Sequence, residues 1–337
     1  MIGFRVDANE VIATGHLMRC IAIAKACEKR GERVLFFLAE KKETERLDAA
    51  GFPYIILGTD WRHLEGEADR MSMLARENAL DWLVVDSYQA TKDYLRALEQ
   101  SVRVLYVDDY GQECYEISAV LNYSPWMADL GEKLYQGRRT KTLFGGQYIP
   151  LREEFSDIRQ TERGRAVLVT TGGTDAYNVA GKFLSECAEK ERWRDTVFHV
   201  IVGSMNSHER ELRALAERHS FIRLHKNVSN MSYYMKRCKA AVSAGGTTLY
   251  ELCACGIPTV CFSFADNQRM GTREMGRRGV MAYVGDVRTE EDFYEKMADA
   301  VWRIMSREEE WNELSAKMQR LVDGKGAERI AEFLLKK

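Results

Sequence analysis

The sequence lacks the features that define several large classes of protein. No run approaches the roughly 18 consecutive apolar residues that a membrane-spanning helix needs. The chain opens on a strand-like segment, 2–7, with no charged and then apolar leader before it. Its formal net charge of −2 gives no electrostatic reason to expect a nucleic-acid partner. These absences predict a cytoplasmic protein that neither inserts into a membrane nor binds nucleic acid.

The eight cysteines form no Cys-x-x-Cys pair. Cys253 and Cys255 lie two positions apart on a predicted helix, so their side chains point in different directions and do not suit a shared metal ion. Cys20 and Cys27 fall on the apolar face of another predicted helix. We interpret the cysteines as reduced core thiols rather than as disulfide partners or metal ligands.

Short apolar runs alternate with amphipathic stretches along the chain, which is typical of βα units built around parallel sheets. Helices are predicted over 17–30, over 177–187 and in the charged segment from 289 onward. The predicted strands are 2–7, 34–38, 54–57, 82–86, 102–108, 167–170, 197–202, 240–243 and 259–262.

A length of 337 residues exceeds that of an ordinary single domain, and the strand–helix pattern restarts after a polar stretch. We therefore predict two Rossmann-like α/β domains, 1–155 and 166–310, joined by a linker over 156–165. A helical extension is predicted over 311–337. Ligands of such sheets bind outside the carboxyl ends of the strands, so a central cleft faced by both domains is the expected site.

The segment 240–262 has the pattern of a strand, a glycine turn, a helix and a second strand. Gly245 and Gly246 carry no side chain, so an anion can approach the backbone there. Thr247 and Thr248 follow and supply hydroxyl donors. The free N–H groups at the helix start favour a diphosphate at this turn. A simpler alternative is a tight turn followed by a capping box over 248–251.

A second glycine pair, Gly172 and Gly173, also lies between a predicted strand and a predicted helix. Two such turns in one domain strengthen the diphosphate interpretation. Neither segment matches Gly-x-Gly-x-x-Gly or a Walker P-loop with its lysine, so NAD and ATP are poor candidates and no cofactor is expected. Glu251, one turn into its helix, has a carboxylate that can accept hydrogen bonds from paired ribose hydroxyls.

In the first domain, Gly15 and His16 fall at the start of the first predicted helix, directly after the first strand. A histidine side chain can take a proton from water or from a sugar hydroxyl near neutral pH. None of the other five histidines is placed in this way. The alternative is that His16 only caps or packs its helix.

Polar residues follow three further predicted strands. The segments 86–88 and 108–109 offer carboxylates and a phenol that could orient a base or a sugar, and 265–268 would present polar groups from a loop. The carboxylate doublet at 108–109 could indicate a metal, but adjacent residues that leave a strand point to opposite faces. A metal-free mechanism is therefore expected.

Together these segments resemble the UDP-sugar hydrolases of pseudaminic acid biosynthesis. Those enzymes cleave UDP-2,4-diacetamido-2,4,6-trideoxy-β-L-altropyranose and are similar in fold to the MurG-type glycosyltransferases of the GT-B class. The resemblance spans most of residues 1–285, and Ala13 and Gln89 depart from it, since glycine is usual at both positions. The matching segments, in chain order, are 5–7, 12–20, 85–88, 108–109, 151–155, 172–175, 243–251 and 265–268.

The resemblance implies a GT-B-like fold and a UDP-linked amino sugar as the substrate, with His16 as the base that activates water. The residues that it assigns to the substrate outside the UDP are Asp7, Gly15, Arg19, Tyr88, Asp266, Asn267 and Gln268. The residues that it assigns to UDP are Gly172, Gly173, Val228, Ala244, Gly245, Gly246, Thr247, Thr248 and Glu251.

Two other functions would use the same fold and the same phosphate site. A GT-B glycosyltransferase would pass the sugar to an acceptor hydroxyl deprotonated by His16. A non-catalytic UDP-sugar sensor would bind its ligand without turnover. Residues 60–80 show no apolar and basic patch for a lipid acceptor. The sequence therefore favours hydrolysis, which releases UDP and the free sugar without an acceptor.

Overall fold

The computed structural model describes residues 1–12, 14–156, 158, 163–203, 205–228 and 230–336, and for residues 129, 132 and 267 it describes the backbone alone. The chain divides into two compact units. Unit 1 comprises residues 1–153 together with 324–337, and unit 2 comprises residues 154–323. Ala13 and half of the expected linker, 157 and 159–162, lie outside the described residues.

Unit 1 is built on a seven-stranded parallel sheet. Its strands are β1 (Ile2–Val6), β2 (Val34–Leu38), β3 (Tyr54–Ile56), β4 (Trp82–Asp86), β5 (Arg103–Val107), β6 (Ala119–Asn122) and β7 (Lys141–Phe144). Their order in the sheet is β3-β2-β1-β4-β5-β6-β7. Every residue of β1, β2 and β4 is buried, as expected for a parallel sheet that is covered on both faces. The strand order reverses between β1 and β4.

Unit 2 is built on a six-stranded parallel sheet. Its strands are β8 (Gly164–Thr170), β9 (Val197–Val202), β10 (Ile222–Lys226), β11 (Cys238–Ala244), β12 (Thr259–Ser263) and β13 (Ala282–Asp286). Their order is β10-β9-β8-β11-β12-β13, so here the strand order reverses between β8 and β11. The core between the sheet and its helices is apolar and aromatic, with Phe183, Trp193 and Phe198 almost fully buried.

The helices connect successive strands, as parallel pairing requires. They are α1 (Gly15–Glu28), α2 (Glu45–Ala50), α3 (Ala68–Glu77), α4 (Lys92–Glu99), α5 (Met127–Leu134), α6 (Val179–Ala188), α7 (Glu209–Arg218), α8 (Met231–Arg237), α9 (Thr248–Ala254), α10 (Asp266–Arg277), α11 (Phe293–Ser306), α12 (Glu308–Leu321) and α13 (Gly326–Leu335). Short 3-10 helices occur at Leu64–Glu67, Gly146–Tyr148, Glu153–Phe155 and Glu191–Trp193. Among the described residues, no helix has both the length and the apolar character needed to cross a membrane.

The helical segment expected as an extension over 311–337 is divided between the units. Helix α12 packs on α9 in unit 2, whereas α13 packs on α1 in unit 1. Helix α13 buries Ile330 and Leu334. A Cβ at Gly326 would lie only 2.1 Å from the carbonyl oxygen of Ile149, so the close approach of this helix requires glycine at that position.

All nine predicted strands are present, with ends that differ from the prediction by no more than three residues. The sequence pattern missed β6, β7, β10 and β13. Three of these, β7, β10 and β13, are edge strands, which carry more polar residues because they are less enclosed. The eight cysteines are all free thiols, and only Cys114 is less than fully buried.

Candidate functional site

The side chain of His16 lies where the strand order of unit 1 reverses, and it is hydrogen-bonded to Asp86. His16 is the second residue of α1, and Asp86 is the last residue of β4, the strand that pairs with β1. The Nδ1 atom of His16 lies 2.5 Å from Oδ1 of Asp86, and both side chains are more than nine-tenths buried. Because a carboxylate only accepts hydrogen bonds, Nδ1 carries the proton in this pair and Nε2 is left to accept one.

Arg19, one turn further along α1, holds the same carboxylate. Its Nε atom donates to Oδ2 of Asp86 at 2.5 Å, and a terminal nitrogen donates to Oδ1. The two terminal nitrogens also donate to the two carboxylate oxygens of Asp109, each at 2.9 Å. One of them reaches the hydroxyl of Tyr123 as well. The guanidinium is therefore fully engaged with protein partners in unit 1, and it fixes the position of Asp86.

The charges in this cluster stabilise one another. Burial by itself would raise the pKa of Asp86, but Arg19 and His16 hold that pKa well below its ordinary value of 3.8. Burial also opposes the charge of Arg19, yet Asp86, Tyr123 and Asp109 together raise the pKa of Arg19 well above its ordinary value. Asp86 is therefore ionised at neutral pH and serves as a fixed acceptor for the Nδ1–H group of His16.

Aromatic side chains lie beside this imidazole. The ring of Tyr88 meets that of His16 edge-on at 4.5 Å, and the ring of Tyr110 lies 5.4 Å from that of Tyr88. Trp61 and Tyr88 both line a small pocket next to His16. Burial, followed by the charge of Asp109, raises the pKa of Tyr88. Its phenol therefore keeps its proton at neutral pH and donates a hydrogen bond to Asp109.

Asp7 lines the same pocket, but both of its carboxylate oxygens already have partners. Oδ2 accepts from Arg5 at 2.5 Å, and Oδ1 accepts from the backbone N–H of Ala39 at 2.8 Å. Arg5 also donates to Glu67 at 2.5 Å, and the hydroxyl of Thr59 donates to Glu67 at 2.6 Å. Each buried charge is thus paired, as a stable interior requires. The network makes Asp7 a support for the pocket wall.

The two glycines of the 245–246 turn in unit 2 have different surroundings. A Cβ on Gly245 would lie 2.8 Å from side-chain atoms of both Gln268 and Thr272, so the packing of α10 requires glycine there. Gly246 has a φ of +154°, and a Cβ on it would meet nothing within 4 Å. Gly246 therefore leaves its backbone open to an approaching anion, whereas Gly245 allows α10 to pack closely against the turn.

Helix α9 begins directly after this turn. Thr247 is its N-cap residue and makes no capping hydrogen bond through its side chain, while Thr248 is the first helical residue. The capping box considered over 248–251 is therefore not formed, because Thr248 lies inside the helix. Ala244 is the buried last residue of β11, and Glu251 is a partly buried residue of the first turn of α9.

The turn at Gly172 and Gly173 follows β8, the strand that pairs with β11, so both glycine turns lie where the strand order of unit 2 reverses. Gly172 has a φ of +86°, and a Cβ on it would meet nothing within 4 Å. A Cβ on Gly203, which follows β9, would lie 2.3 Å from the carbonyl oxygen of Gly173. Val228 follows β10. These segments therefore leave the carboxyl ends of neighbouring strands.

The expectation of a loop over 265–268 is wrong, because α10 begins at Asp266 almost directly after β12. Asp266 lies in the first turn, where a carboxylate interacts favourably with the helix dipole, and it pairs with Arg288 at 2.7 Å. The side-chain oxygen of Gln268 accepts the N–H of Phe264 at 3.1 Å. The side chain of Asn267 lies outside the described residues.

The structure brings five of the predicted substrate and catalytic residues together in unit 1. Those that gather in unit 1 are Asp7, Gly15, His16, Arg19 and Tyr88. The sequence pattern offered the carboxylates of Asp86 and Asp109 as groups that could orient a base or a sugar, but it did not indicate which of them would pair with His16, and it gave no signal for Tyr123. Among the residues that the structure describes, no group of three or more histidine, cysteine, aspartate or glutamate side chains could hold a metal ion.

The whole chain, with its two parallel sheets, matches solved structures that share one fold. MurG from Acinetobacter baumannii matches with a TM-score of 0.70 and 12% identity, covering 100% of this chain and 99% of MurG. A putative UDP-N-acetylglucosamine 2-epimerase from Listeria monocytogenes matches with a TM-score of 0.67 and 11% identity, covering 100% and 97%. The S. aureus MnaA–UDP complex matches with a TM-score of 0.63 and 12% identity, covering 98% and 94%. The predicted fold class is thus confirmed, and the chain has the GT-B fold.

Two proteins are related in sequence. The spore coat polysaccharide biosynthesis protein SpsG of Bacillus subtilis is 23% identical over 345 residues, covering 99% of this chain and 97% of SpsG. The uncharacterized protein MJ1062 of Methanocaldococcus jannaschii is 23% identical over 285 residues, covering 80% of this chain. The chain spans only 56% of MJ1062. No family model matches the chain. The chain is therefore a homologue of SpsG that has the GT-B fold.

Proposed function

We propose that the chain is a hydrolase that cleaves a UDP-linked 2,4-diacetamido-2,4,6-trideoxy sugar at its anomeric carbon, with water as the nucleophile. The observation that carries this proposal is the hydrogen-bonded pair of His16 and Asp86 beside the pocket of unit 1. An imidazole whose Nδ1–H group is held by a buried carboxylate is oriented to act as a base through Nε2.

In the proposed reaction, Nε2 of His16 takes a proton from water while the oxygen of that water bonds to the anomeric carbon. The bond between this carbon and the diphosphate oxygen breaks, and its electron pair leaves with UDP. Asp86 stabilises the imidazolium that forms, and Arg19 keeps Asp86 ionised and in place. The proton then passes from His16 to solvent. A general base of this kind contributes roughly 10²–10⁴-fold to the rate.

We propose that unit 2 holds UDP at its two glycine turns. The open backbone at Gly246 and the start of α9 would bind the diphosphate and stabilise the negative charge that grows on it as the sugar leaves. The backbone near Val228 would contact the uracil, and Glu251 would accept hydrogen bonds from the ribose hydroxyls. The MnaA structure of the same fold contains UDP, which supports a UDP site in this fold.

The identity of the sugar rests on the segments that resemble the hydrolases of pseudaminic acid biosynthesis. Tyr88, beside His16, would contact the sugar, and Asn267 would lie near it. The homologue SpsG is named as a protein of spore coat polysaccharide biosynthesis. This name supports a role in carbohydrate biosynthesis for this chain.

The deciding experiment incubates purified protein with a panel of UDP-sugars in ¹⁸O-labelled water and identifies the products by mass spectrometry. UDP-N-acetylglucosamine serves as the matched control for the 2,4-diacetamido donors. We expect UDP and free sugar without any acceptor, and we expect no ¹⁸O in the UDP, because its bridging oxygen leaves with the diphosphate. Label in the phosphate of UDP would mean attack at phosphorus and would contradict the proposed attack at the anomeric carbon.

The same assay separates the two competing functions. Release of UDP only when an acceptor is present, with the sugar found on that acceptor, would identify a glycosyltransferase. Tight binding of a UDP-sugar without turnover would identify a sensor. Either result would replace hydrolysis as the function.

A further inference from the structure

A groove at the amino-terminal edge of the unit 1 sheet takes no part in the proposed reaction. It lies where β4, β5, β6 and β7 begin and is bounded by the end of α13, with a volume of about 740 Å³. Because the strands of this sheet are parallel, the groove is on the edge opposite to that of His16. Small-molecule sites have volumes of about 300–1,000 Å³, so the groove has room for an organic ligand.

Aromatic groups form one wall of the groove. The rings of Trp82 and Phe333 lie 5.4 Å apart, and the guanidinium of Arg103 lies 4.7 Å from the centre of the Trp82 ring. Trp82 is 4% exposed, and its indole N–H has no hydrogen-bond partner among the described residues. A buried donor without a partner is uncommon in folded proteins, but this N–H group is enclosed by the protein and does not face the groove.

Positive charge is concentrated around this wall, in a chain whose net charge is −2. The cations that line the groove are Arg103, Arg138, Arg139, Lys141 and Lys336. Arg103 donates to the carbonyl oxygen of Asp81 at 3.1 Å. Within the part of the chain that the structure describes, the other four side chains make no hydrogen bond or ion pair.

Two carboxylates line the groove, but both have other partners. Oε2 of Glu99 accepts the backbone N–H groups of Val104 and Ser118, at 3.0 and 2.9 Å. Glu116 lies 3.8 Å from Arg96, which does not line the groove. The four cations therefore form no ion pair with either carboxylate, and cations outnumber carboxylates in the lining of the groove.

We propose that this groove binds an aromatic phosphate ester, with its ring against Trp82 and Phe333 and its phosphate among the unpaired cations. Four unpaired positive charges exceed what a single carboxylate would need, and arginine binds phosphate in bidentate geometry. The aromatic wall suits a planar ring. This site is independent of the UDP-sugar chemistry on the opposite edge of the sheet.

Binding of 1-naphthyl phosphate to the full chain, measured by calorimetry, tests this site. The variant R138E/R139E reverses two exposed charges of the groove, and R210E/R218E makes the same charge change on α7 of unit 2. We expect one molecule bound per chain, about tenfold or more weaker in R138E/R139E because charge-assisted contacts are replaced by repulsion, and unchanged in R210E/R218E. Phe333→Leu removes the half-buried ring of the aromatic wall, and it should weaken binding severalfold.

Several results would overturn the proposal. They are an absence of saturable binding, equal binding by R138E/R139E and the wild-type chain, and displacement of the probe by UDP, which would locate it in the other unit. Inorganic phosphate provides the last comparison. If it binds as tightly as 1-naphthyl phosphate, the aromatic wall contributes nothing and the proposed ligand class is wrong.

Discussion

Where the strand order of unit 1 reverses, His16, Arg19 and Asp86 form a bonded cluster of buried polar side chains. Where the strand order of unit 2 reverses, the two turns contain glycines, with open backbone at Gly172 and Gly246. The same topological position therefore carries side-chain chemistry in one unit and accessible backbone in the other.

This difference follows from what each kind of group can do. A buried charge has to be paired, and once paired it holds its neighbour in one orientation, which suits proton transfer. A backbone N–H group does not titrate, so it can bind an anion without itself changing charge. Substitutions in the first cluster should therefore change rate and stability, whereas substitutions at the second position should change packing and anion binding.

The largest expected effect is on catalysis by unit 1. His16→Ala should lower kcat/KM for UDP release by roughly 10²–10⁴-fold, because the general base is lost. The affinity for UDP, measured by calorimetry, should stay close to that of the wild-type chain, since UDP is assigned to unit 2. His208→Ala, a substitution in unit 2 outside the proposed site, is the control and should leave both quantities unchanged. Parallel loss of UDP binding and turnover would instead make His16 a structural residue.

The next effect is on stability and contrasts a buried with an exposed carboxylate. Asp86→Ala leaves Arg19 partly unpaired in the interior and should lower the free energy of unfolding by about 3–5 kcal/mol. Asp266→Ala removes an ion pair from a side chain that is 82% exposed and should cost less than about 1 kcal/mol. Urea unfolding at neutral pH measures both values. Equal costs would mean that the buried cluster of unit 1 contributes no special stability.

Acid should remove the contribution of Asp86. Its pKa is depressed in the folded chain, so the contribution is complete above the ordinary value of 3.8 and is lost as the pH falls below it. The stability difference between the wild-type chain and Asp86→Ala should therefore shrink below pH 3.8. A difference that stays constant with acidification would contradict the assigned charge of Asp86.

A smaller effect should distinguish the glycines of the two units. Gly245→Ala forces α10 away from its turn and should lower the free energy of unfolding by about 1–3 kcal/mol. Gly15→Ala is the matched control in unit 1, because a Cβ there meets nothing within 4 Å, and its effect should stay within about 0.5 kcal/mol. Thermal or urea unfolding of both variants measures the two changes in the free energy of unfolding. A harmless Gly245→Ala would show that α10 is not packed against this turn.

The smallest effect concerns titration in unit 2. Nδ1 of His199 and Nε2 of His225 lie 2.9 Å apart on neighbouring strands, and Tyr234 contacts the other nitrogen of His225. Burial, followed by His225 and Arg223, lowers the pKa of His199, and burial followed by Arg223 lowers that of His225. The folded chain then binds fewer protons than the unfolded chain, so stability should fall as the pH drops below 6.5.

Urea unfolding on both sides of pH 6.5 measures this slope. The slope should be smaller in His225→Gln, which removes one titrating ring. His208→Gln is the control, because His208 lies outside this pair, and it should keep the wild-type slope. An unchanged slope in His225→Gln would show that the pair does not titrate in this range.

Much of the fold could be predicted because buried parallel strands form continuous apolar runs. The strand at 82–86 was visible for that reason, and its observed ends agree with the prediction. Strand β10 was not visible, because it is an edge strand in which Arg223 and Lys226 interrupt the apolar pattern. Helix α10 was misjudged as a loop at its start, since its first turn is polar and contains no apolar residue to mark the helical period.

The sequence by itself determined where the two halves carry their special residues, because a strand followed by glycine or histidine and then a helix is a local pattern. Only the tertiary structure decided that Asp86, 70 residues away, is the partner of His16, and that Gly245 serves the packing of α10 while Gly246 leaves its backbone open. These outcomes depend on the pairing of β1 with β4 and on the seating of one helix against a distant turn. Such contacts arise from long-range packing, and no local window of sequence contains both partners.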